Sequence, residues 1–331
     1  MNNFCFTCGD INGIGPEIVI KALNKITLKE STDKFYFVCP SKIFLETSLN
    51  TRLKFDFEII NKPGKDFSSK VAVLSLKNYP HKLGAPTISS GKAAYDSLDA
   101  SFKLWQNKKV DAIITAPISK TAIKMAGYDF PGQTEMFADW TNSNNYAMMF
   151  LSSKINAGLA TIHLPLKKVA SLLKIKNLHK TFEIIYNTLK NDLAYADPKI
   201  GVLGLNPHAG EGGLIGDEEK KIIIPAIKSF SRKIKIEGPF PPDAFWGNKV
   251  YENYDAVIGM YHDQVLIPFK LLNFGKGVNF TAGLPVVRTS PDHGVAYDIA
   301  GKNIADESSI VQAFNYALRI VKNRKRKIGK E

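Results

Sequence analysis

Only three cysteines, Cys5, Cys8 and Cys39, occur in 331 residues. That is too few for a disulfide framework, and the single Cys5-x-x-Cys8 pair has no second pair with which to close a zinc site. They read as reduced residues packed in a first strand. No apolar run approaches the roughly 20 residues that a membrane helix needs. The start, MNNFCFTCGD, lacks the basic opening and long apolar stretch of a secretory signal, so a cytoplasmic location is expected. Low-complexity and long single-sign tracts are missing too. With 44% hydrophobic and 23% charged residues, the composition is that of an ordered globular chain. The charge is lopsided, at +13, but the lysines are scattered. The one dense basic run, Lys322 to Lys330, suits the negative end of a terminal helix dipole. Nucleic acid is therefore not an expected partner, nor is a membrane; attraction of small anionic substrates is the better use of the charge.

Short β-branched or aromatic runs alternate with amphipathic helical patterns along most of the chain, the signature of an α/β protein. Strands are expected over 35–38, 71–76, 110–115, 147–151, 158–162, 200–205, 234–237 and 256–260, in a sheet mostly parallel in its first half. Ala94, Leu98, Phe102 and Trp105 have helical spacing, with Ser89 or Ser90 able to cap the start. Further helices are expected over 178–193, 217–230 and 308–322. The punctuated Phe130-Pro131-Gly132 loop suggests a division into 1–130 plus 286–331 and 131–285.

Three of the six histidines directly follow apolar, strand-like runs: GLATIH at His163, GVLGLNPH at His208 and AVIGMYH at His262. The carboxyl ends of strands are where α/β sheets place their ligands. Three imidazoles leave one coordination position open, as in catalytic metal sites, and suit zinc or cobalt better than calcium. Asn206, Glu211, Asp263 and Gln264 are placed to orient the imidazoles or a water, with a plain turn role for Asp263 equally open. His81 and His179 receive no function.

The glycine cluster GDINGIGPEI has Ile18 where the dinucleotide fingerprint needs glycine, so it is not a Rossmann nucleotide loop. In NPHAGEGGLIGDEE, the acidic helix start would repel a phosphate, and close backbone approach to a ligand is the better reason for the glycines. FGKGVNFTAGLPVVRTSPDHGVAYDIAGK, with Lys270 just upstream, carries Lys276, Asn279, Arg288 and His293. Cations and an amide in such a stretch suit an anion pocket, although solvated loop cations remain an alternative.

Taken in order from Gly9 to Lys302, the motifs GDINGIGPEI, TAPISK, FPGQTE, THLPL, NPHAGEGG, MYHDQ, FGKGVN and RTSPDHGVAYDIAGK resemble those of the 4-hydroxythreonine-4-phosphate dehydrogenase family. More distantly, the GIGPE and HGVAYDIAGK runs are similar to isocitrate and isopropylmalate dehydrogenases. The resemblance implies two α/β domains with a cleft between them. It also implies an NAD- or NADP-linked oxidation of a phosphorylated hydroxy amino acid, followed by loss of carbon dioxide, in pyridoxine phosphate synthesis. It places one divalent metal on His163, His208 and His262, with zinc preferred and cobalt or magnesium as alternatives, and substrate contacts on Gln133, Thr134, Lys270, Asn279 and Arg288. His293, Gly294 and Asp298 fall on the dinucleotide side. A homodimer with the active site at the subunit interface is implied as well. The general base stays open between Asp243, Lys120 and a metal-bound hydroxide.

The chain departs from the family pattern at Gln133, where the motif usually has histidine. An amide keeps a donor and an acceptor but carries no proton charge. That leaves room for a paralogue acting on another four-carbon phosphorylated hydroxy acid of the threonate phosphate type. From other classes, a phosphate acyltransferase would not need three metal-binding histidines, and a zinc hydrolase would leave RTSPDHGVAYDIAGK without a purpose.

Overall fold

A computed structural model describes residues 1–232, 234–273 and 275–329. Phe274, which opens FGKGVN, and Lys330, which ends the basic run, lie outside the described residues. In chain order the strands are β1 (Asn3–Thr7), β2 (Lys34–Pro40), β3 (Phe57–Ile60), β4 (Val71–Leu76), β5 (Ala112–Ile114), β6 (Ala147–Leu151), β7 (Asn156–Leu159), β8 (Lys199–Leu203), β9 (Lys235–Phe240), β10 (Ala256–Gly259), β11 (Val278–Ala282) and β12 (Val287–Pro291). Two compact units share them: Met1–Phe137 with Val286–Val321, and Ala138–Pro285 with Lys322–Glu331. Among the described residues no helix is long and apolar enough to cross a membrane.

In the first unit the strand order is β3-β4-β2-β1-β5-β12, and every neighbouring pair is parallel. The near-continuous apolar runs FCF, FYFVC and VAVL suit strands covered on both faces. On one face Phe4 meets Phe314 of the Ser308–Ile328 helix edge-on at 5.0 Å, and Phe35 does so at 5.7 Å. The helix Ile88–Gln106 carries Ala93, Ala94, Ser97 and Ser101, small enough to lie close to the strands. Ser97 Oγ donates to the Val38 carbonyl at 2.7 Å, and Cys5 Sγ lies 3.2 Å from Ser101 Oγ. All three cysteines are free and buried; burial pushes the Cys5 thiol up to about 12, which suits packing and not redox work.

The helix Ile88–Gln106 is capped by Thr87, upstream of the serines favoured on sequence. The Ser90 amide donates to Thr87 Oγ1 at 3.0 Å, and the Thr87 amide to Ser90 Oγ at 3.2 Å. Ser90 thus serves as the return half of a capping box.

The second unit has the order β11-β6-β7-β10-β8-β9. Its β11, β6 and β7 are antiparallel neighbours, while β7, β10, β8 and β9 run parallel. Phe150, Leu159, Leu203, Phe245, Val257, Val265 and Phe269 form its core. Arg324 grips Asp192 through Nε and Nη2, both at 2.8 Å, and donates to the Pro285 carbonyl at 3.0 Å. This bidentate pair places the chain end from Lys322 with the second unit, where the sequence division had put it with the first. The Gly-rich stretch read as an anion loop contains β11 and β12. Their polar side chains Thr281, Arg288 and Thr289 are buried, so no apolar alternation announced them.

Replacing Thr87 by alanine opens the capping box. Urea unfolding of Thr87→Ala is expected to show a loss of about 1 kcal/mol, with activity retained; an unchanged midpoint would remove the cap from the account.

Candidate active site

The three histidine-bearing strands are neighbours. Leu159 of β7 pairs with Gly259 of β10, and Ile258 of β10 pairs with Val202 of β8. All three strands run parallel, so their chains leave the sheet side by side. His163 follows β7, His262 begins the helix His262–Asn273, and His208 lies in the turn Pro207–Gly213 after β8. The rings of His163 and His262 are 6.1 Å apart. Bonds of about 2.0–2.1 Å from two imidazoles to one ion place ring centres roughly 5–6 Å apart, so this pair fits the donor set with a small adjustment. His262 Nδ1 lies 2.6 Å from Asp263 Oδ1. This is the carboxylate–imidazole pairing that fixes a ligand ring and leaves Nε2 as its other nitrogen.

His208 is not drawn into the same cluster. Among the described residues no three His, Cys, Asp or Glu side chains are grouped closely enough to hold an ion. The structure therefore brings together two of the three expected ligands and leaves the third on the adjoining strand's loop. Both outer loops are strained: His163 has φ 49° and His208 φ 52°, and the run continues through Ala209, Gly210, Glu211 and Gly212 at positive φ. Non-glycine residues rarely adopt this region, and such strain collects at functional sites.

Hydrogen bonds join the three loops. Thr161 Oγ1 donates to the Met260 carbonyl at 2.6 Å, and the Met260 amide donates to Gln264 Oε1 at 2.7 Å. Gln264 Nε2 donates to the Gly204 carbonyl at 2.6 Å. Glu219 Oε1 then accepts the Leu205 and Asn206 amides at 2.7 and 2.8 Å, while its Oε2 accepts Asn206 Nδ2 at 2.9 Å. A Cβ on Gly210 would sit 2.6 Å from Glu219 Oε2. That glycine makes room for the protein's own carboxylate, not for a ligand as the sequence suggested. Gly212 and Gly213 face open space and keep the ligand-approach reading available.

Arg288 on β12 is only 2% exposed. Its Nε and Nη2 donate to Thr115 Oγ1 at 3.0 and 2.8 Å, and Nη2 also donates to Gln133 Oε1 at 2.6 Å. Gln133 Nε2 in turn donates to the Ala116 carbonyl at 3.0 Å. Burial pushes the guanidinium down to about 9, opposed by the carboxylate of Glu135. Both ends of the Gln133 amide are thus engaged with protein, whereas the sequence offered it as a substrate contact. Thr134 beside it is buried. In the second unit, Asn279 Oδ1 is buried with no hydrogen-bond partner among the described residues, as a ligand-binding acceptor would be. Lys270 is exposed in the last turn of its helix. Lys120 and Asp243 are exposed in the first turns of short helices. Among the described residues, neither is hydrogen-bonded to Arg288 or to the histidines.

Also in the first unit, the GDINGIGPE and DHGVAYDIAGKN segments dock together. The Ile14 amide donates to the Val295 carbonyl at 3.0 Å, and a Cβ on Gly13 would lie 2.6 Å from that oxygen. Fully buried Asp10 accepts the Tyr297 hydroxyl at 2.8 Å and Ser90 Oγ at 3.1 Å. Ile11, Gly13, Glu17, His81, Gly301 and Asn303 help line a cavity of about 180 Å³. His293 Nε2 is buried without a hydrogen-bond partner among the described residues, and Gly294 has open space around it. Asp298 is exposed. None of His293, Gly294 and Asp298 lines that cavity; the orphaned ring nitrogen and the open glycine are what suit a ligand beside them. Asp10 was not singled out on sequence; its place in a Gly-rich loop opposite Tyr297 is a tertiary fact.

Residues 32–317 match the family described as pyridoxal phosphate biosynthetic protein PdxA. The chain belongs to that family. A relative from Bacteroides thetaiotaomicron named 4-hydroxythreonine-4-phosphate dehydrogenase is 38% identical over 97% of this chain and 89% of its own length. A relative from Oceanobacillus iheyensis, provisionally named a D-threonate 4-phosphate dehydrogenase, is also 38% identical, over 95% of this chain and 96% of its own. The crystal structure of the Klebsiella pneumoniae 4-hydroxythreonine-4-phosphate dehydrogenase superposes with a TM-score of 0.82 at 33% identity, covering 97% of this chain and 100% of that one. The isocitrate dehydrogenase of Methylococcus capsulatus, 14% identical, shares the fold at a TM-score of 0.52, covering 100% of this chain and 89% of that one. The α/β, isocitrate dehydrogenase-like fold expected from the sequence is the one observed.

Burial raises the Asp10 carboxyl above its ordinary range, opposed by bonds from Asn12, Tyr297 and Ser90. A raised folded value means that protonation favours the fold. Relative to Asp10→Asn, the parent should therefore gain urea stability as pH falls from the raised value to the ordinary carboxylate range. It should lose that gain as pH rises again. A stability difference that is flat with pH would contradict this.

Proposed function

We propose that the protein oxidises the secondary hydroxyl of 4-phosphohydroxy-L-threonine with NAD or NADP, giving 2-amino-3-oxo-4-phosphooxybutanoate, which loses carbon dioxide to give 3-amino-2-oxopropyl phosphate. The observation that carries the reading is the set of adjoining parallel strand ends bearing His163, His262 and His208, in a chain whose relatives carry that enzyme name. Localisation in the cytoplasm belongs to the same reading.

In this proposal His163, His208 and His262 hold one divalent ion, zinc first, then cobalt or magnesium. When bound, the ion supplies positive charge to the reacting oxygen and to the charge that develops on loss of carbon dioxide. The nicotinamide cofactor, held by His293, Gly294 and Asp298, supplies the hydride acceptor. Asp263 keeps the His262 ring in one tautomer. Thr134, Lys270 and Arg288 hold the anionic ends of the substrate, and Asn279 contacts it by offering its unpartnered Oδ1 to a donor, which the substrate ammonium provides. Gln133 keeps the Arg288 fork aimed, since an arginine recognises phosphate or carboxylate best through a fixed plane. Asp243 and Lys120 are the proton-transfer candidates from the chain itself.

A homodimer completes the reading. On the helix that begins at His262, Ile267 and Leu271 are 60% and 64% exposed. They stand four residues apart, so they share a helix face, and a second copy would cover it.

The second reading, a dehydrogenase of a threonate phosphate, is favoured by Gln133 and by the name of the Oceanobacillus relative. The two substrates differ at the carbon bearing either an ammonium or a hydroxyl group. NADH or NADPH formation by the purified protein should be measured with each, with and without a chelator. Reduction with 4-phosphohydroxy-L-threonine that the chelator abolishes is expected. Turnover of the threonate phosphate alone would move the assignment to the second reading, and full activity in chelator would remove the metal from it.

A further inference from the structure

The catalytic reading leaves unused a buried carboxylate and a buried amide in the second unit. Glu219 is 2% exposed and Gln264 is 8% exposed; Gln264 spends both of its polar atoms, and Glu219 its Oε1, on the backbone of a histidine loop, while Glu219 Oε2 takes the Asn206 side chain. Glu219 stops two consecutive amides, Leu205 and Asn206, at the point where the chain leaves β8 and enters the strained turn with His208. Gln264 ties the Met260 amide, before His262, to the Gly204 carbonyl, before His208. Thr161, before His163, closes on the Met260 carbonyl. Each contact thus reaches the backbone just before a histidine, and Gln264 and Thr161 link one histidine loop to the next.

Three non-glycine residues at positive φ, His208, Ala209 and Glu211, would relax if nothing opposed them. Left-handed backbone is unfavourable for every non-glycine residue. Buried charge-assisted bonds to backbone amides are strong enough to hold such a turn.

We infer that Glu219 and Gln264 are positioning residues, which set the His208 loop relative to His262 and His163. The inference rests on the reading that these three histidines share one ion. It makes Glu219 act through His208, without touching substrate or cofactor.

The test is a double-mutant cycle read by Co²⁺ titration calorimetry of the full chain, with hydrogen exchange of the metal-free protein beside it. Glu219→Ala should weaken Co²⁺ binding by about 10–100-fold, the usual size for a lost supporting contact. In the His208→Ala background it should have no further effect. Glu219→Gln keeps an acceptor for the two amides and should fall between parent and Glu219→Ala. In metal-free protein, amides over 204–216 should exchange faster in Glu219→Ala while β6 and β7 are unchanged. Unchanged Co²⁺ affinity, or an equal loss in both backgrounds, overturns the inference. If Glu219→Ala does not fold, Gln264→Met is held to the same two outcomes. Should the parent itself take up no Co²⁺, the metal reading fails. Exchange then decides the inference alone: localised loss of protection over 204–216 supports it, and parental protection overturns it.

Discussion

Hydrogen bonding between β7, β10 and β8 fixes where three separate stretches of chain can end. Parallel neighbours lie about 4.8 Å apart, and their carboxyl ends face the same way. Loops leaving Leu159, Gly259 and Leu203 therefore begin within two strand spacings of one another. Any ligand set drawn from these loops inherits that spacing, and small backbone differences decide which rings meet. His163 and His262, on directly paired strands, come within 6.1 Å. His208 leaves from the strand on the far side of β10 and needs a longer, strained path.

A second constraint acts on polarity. Loops that close over a sheet edge bury amides and carbonyls, and each unpaired one costs free energy. The protein answers with side chains in both units: Glu219 and Gln264 around β8 and β10, Gln133 on the Ala116 carbonyl beside Arg288, and Asp10 on the Asn12 amide under Tyr297. These groups are held in place by the fold and in turn hold the candidate site residues. In this architecture satisfying buried backbone and aiming a functional side chain are one task.

What could be read from sequence follows the same division. That three histidines follow strand ends was legible because an apolar run ending in His is a local pattern, and the strands β4 and β6 were legible to the residue because apolar residues dominate them, Ser75 being the one polar residue in β4. The strands β11 and β12 were not, since Asn279, Thr281, Arg288 and Thr289 break the apolar alternation and their burial is decided elsewhere in the chain. Glu219 looked like an acid at a helix start, complementing the dipole; only the fold turns it back onto Leu205 and Asn206. The grouping of the chain end with the second unit was not legible locally, because the partner of Arg324, Asp192, is remote in sequence. Motif order carried the family; it did not carry which of Gln133's two ends would be free, and neither is.

The Gln133 contact changes how the site responds to protons. An imidazole there would titrate near pH 6.5, and its charged form would stand beside a buried guanidinium. The amide has one state across that range and presents its oxygen to Arg288 in all of it. At this contact, then, neither member of the Gln133–Arg288 pair changes charge between about pH 5 and 8.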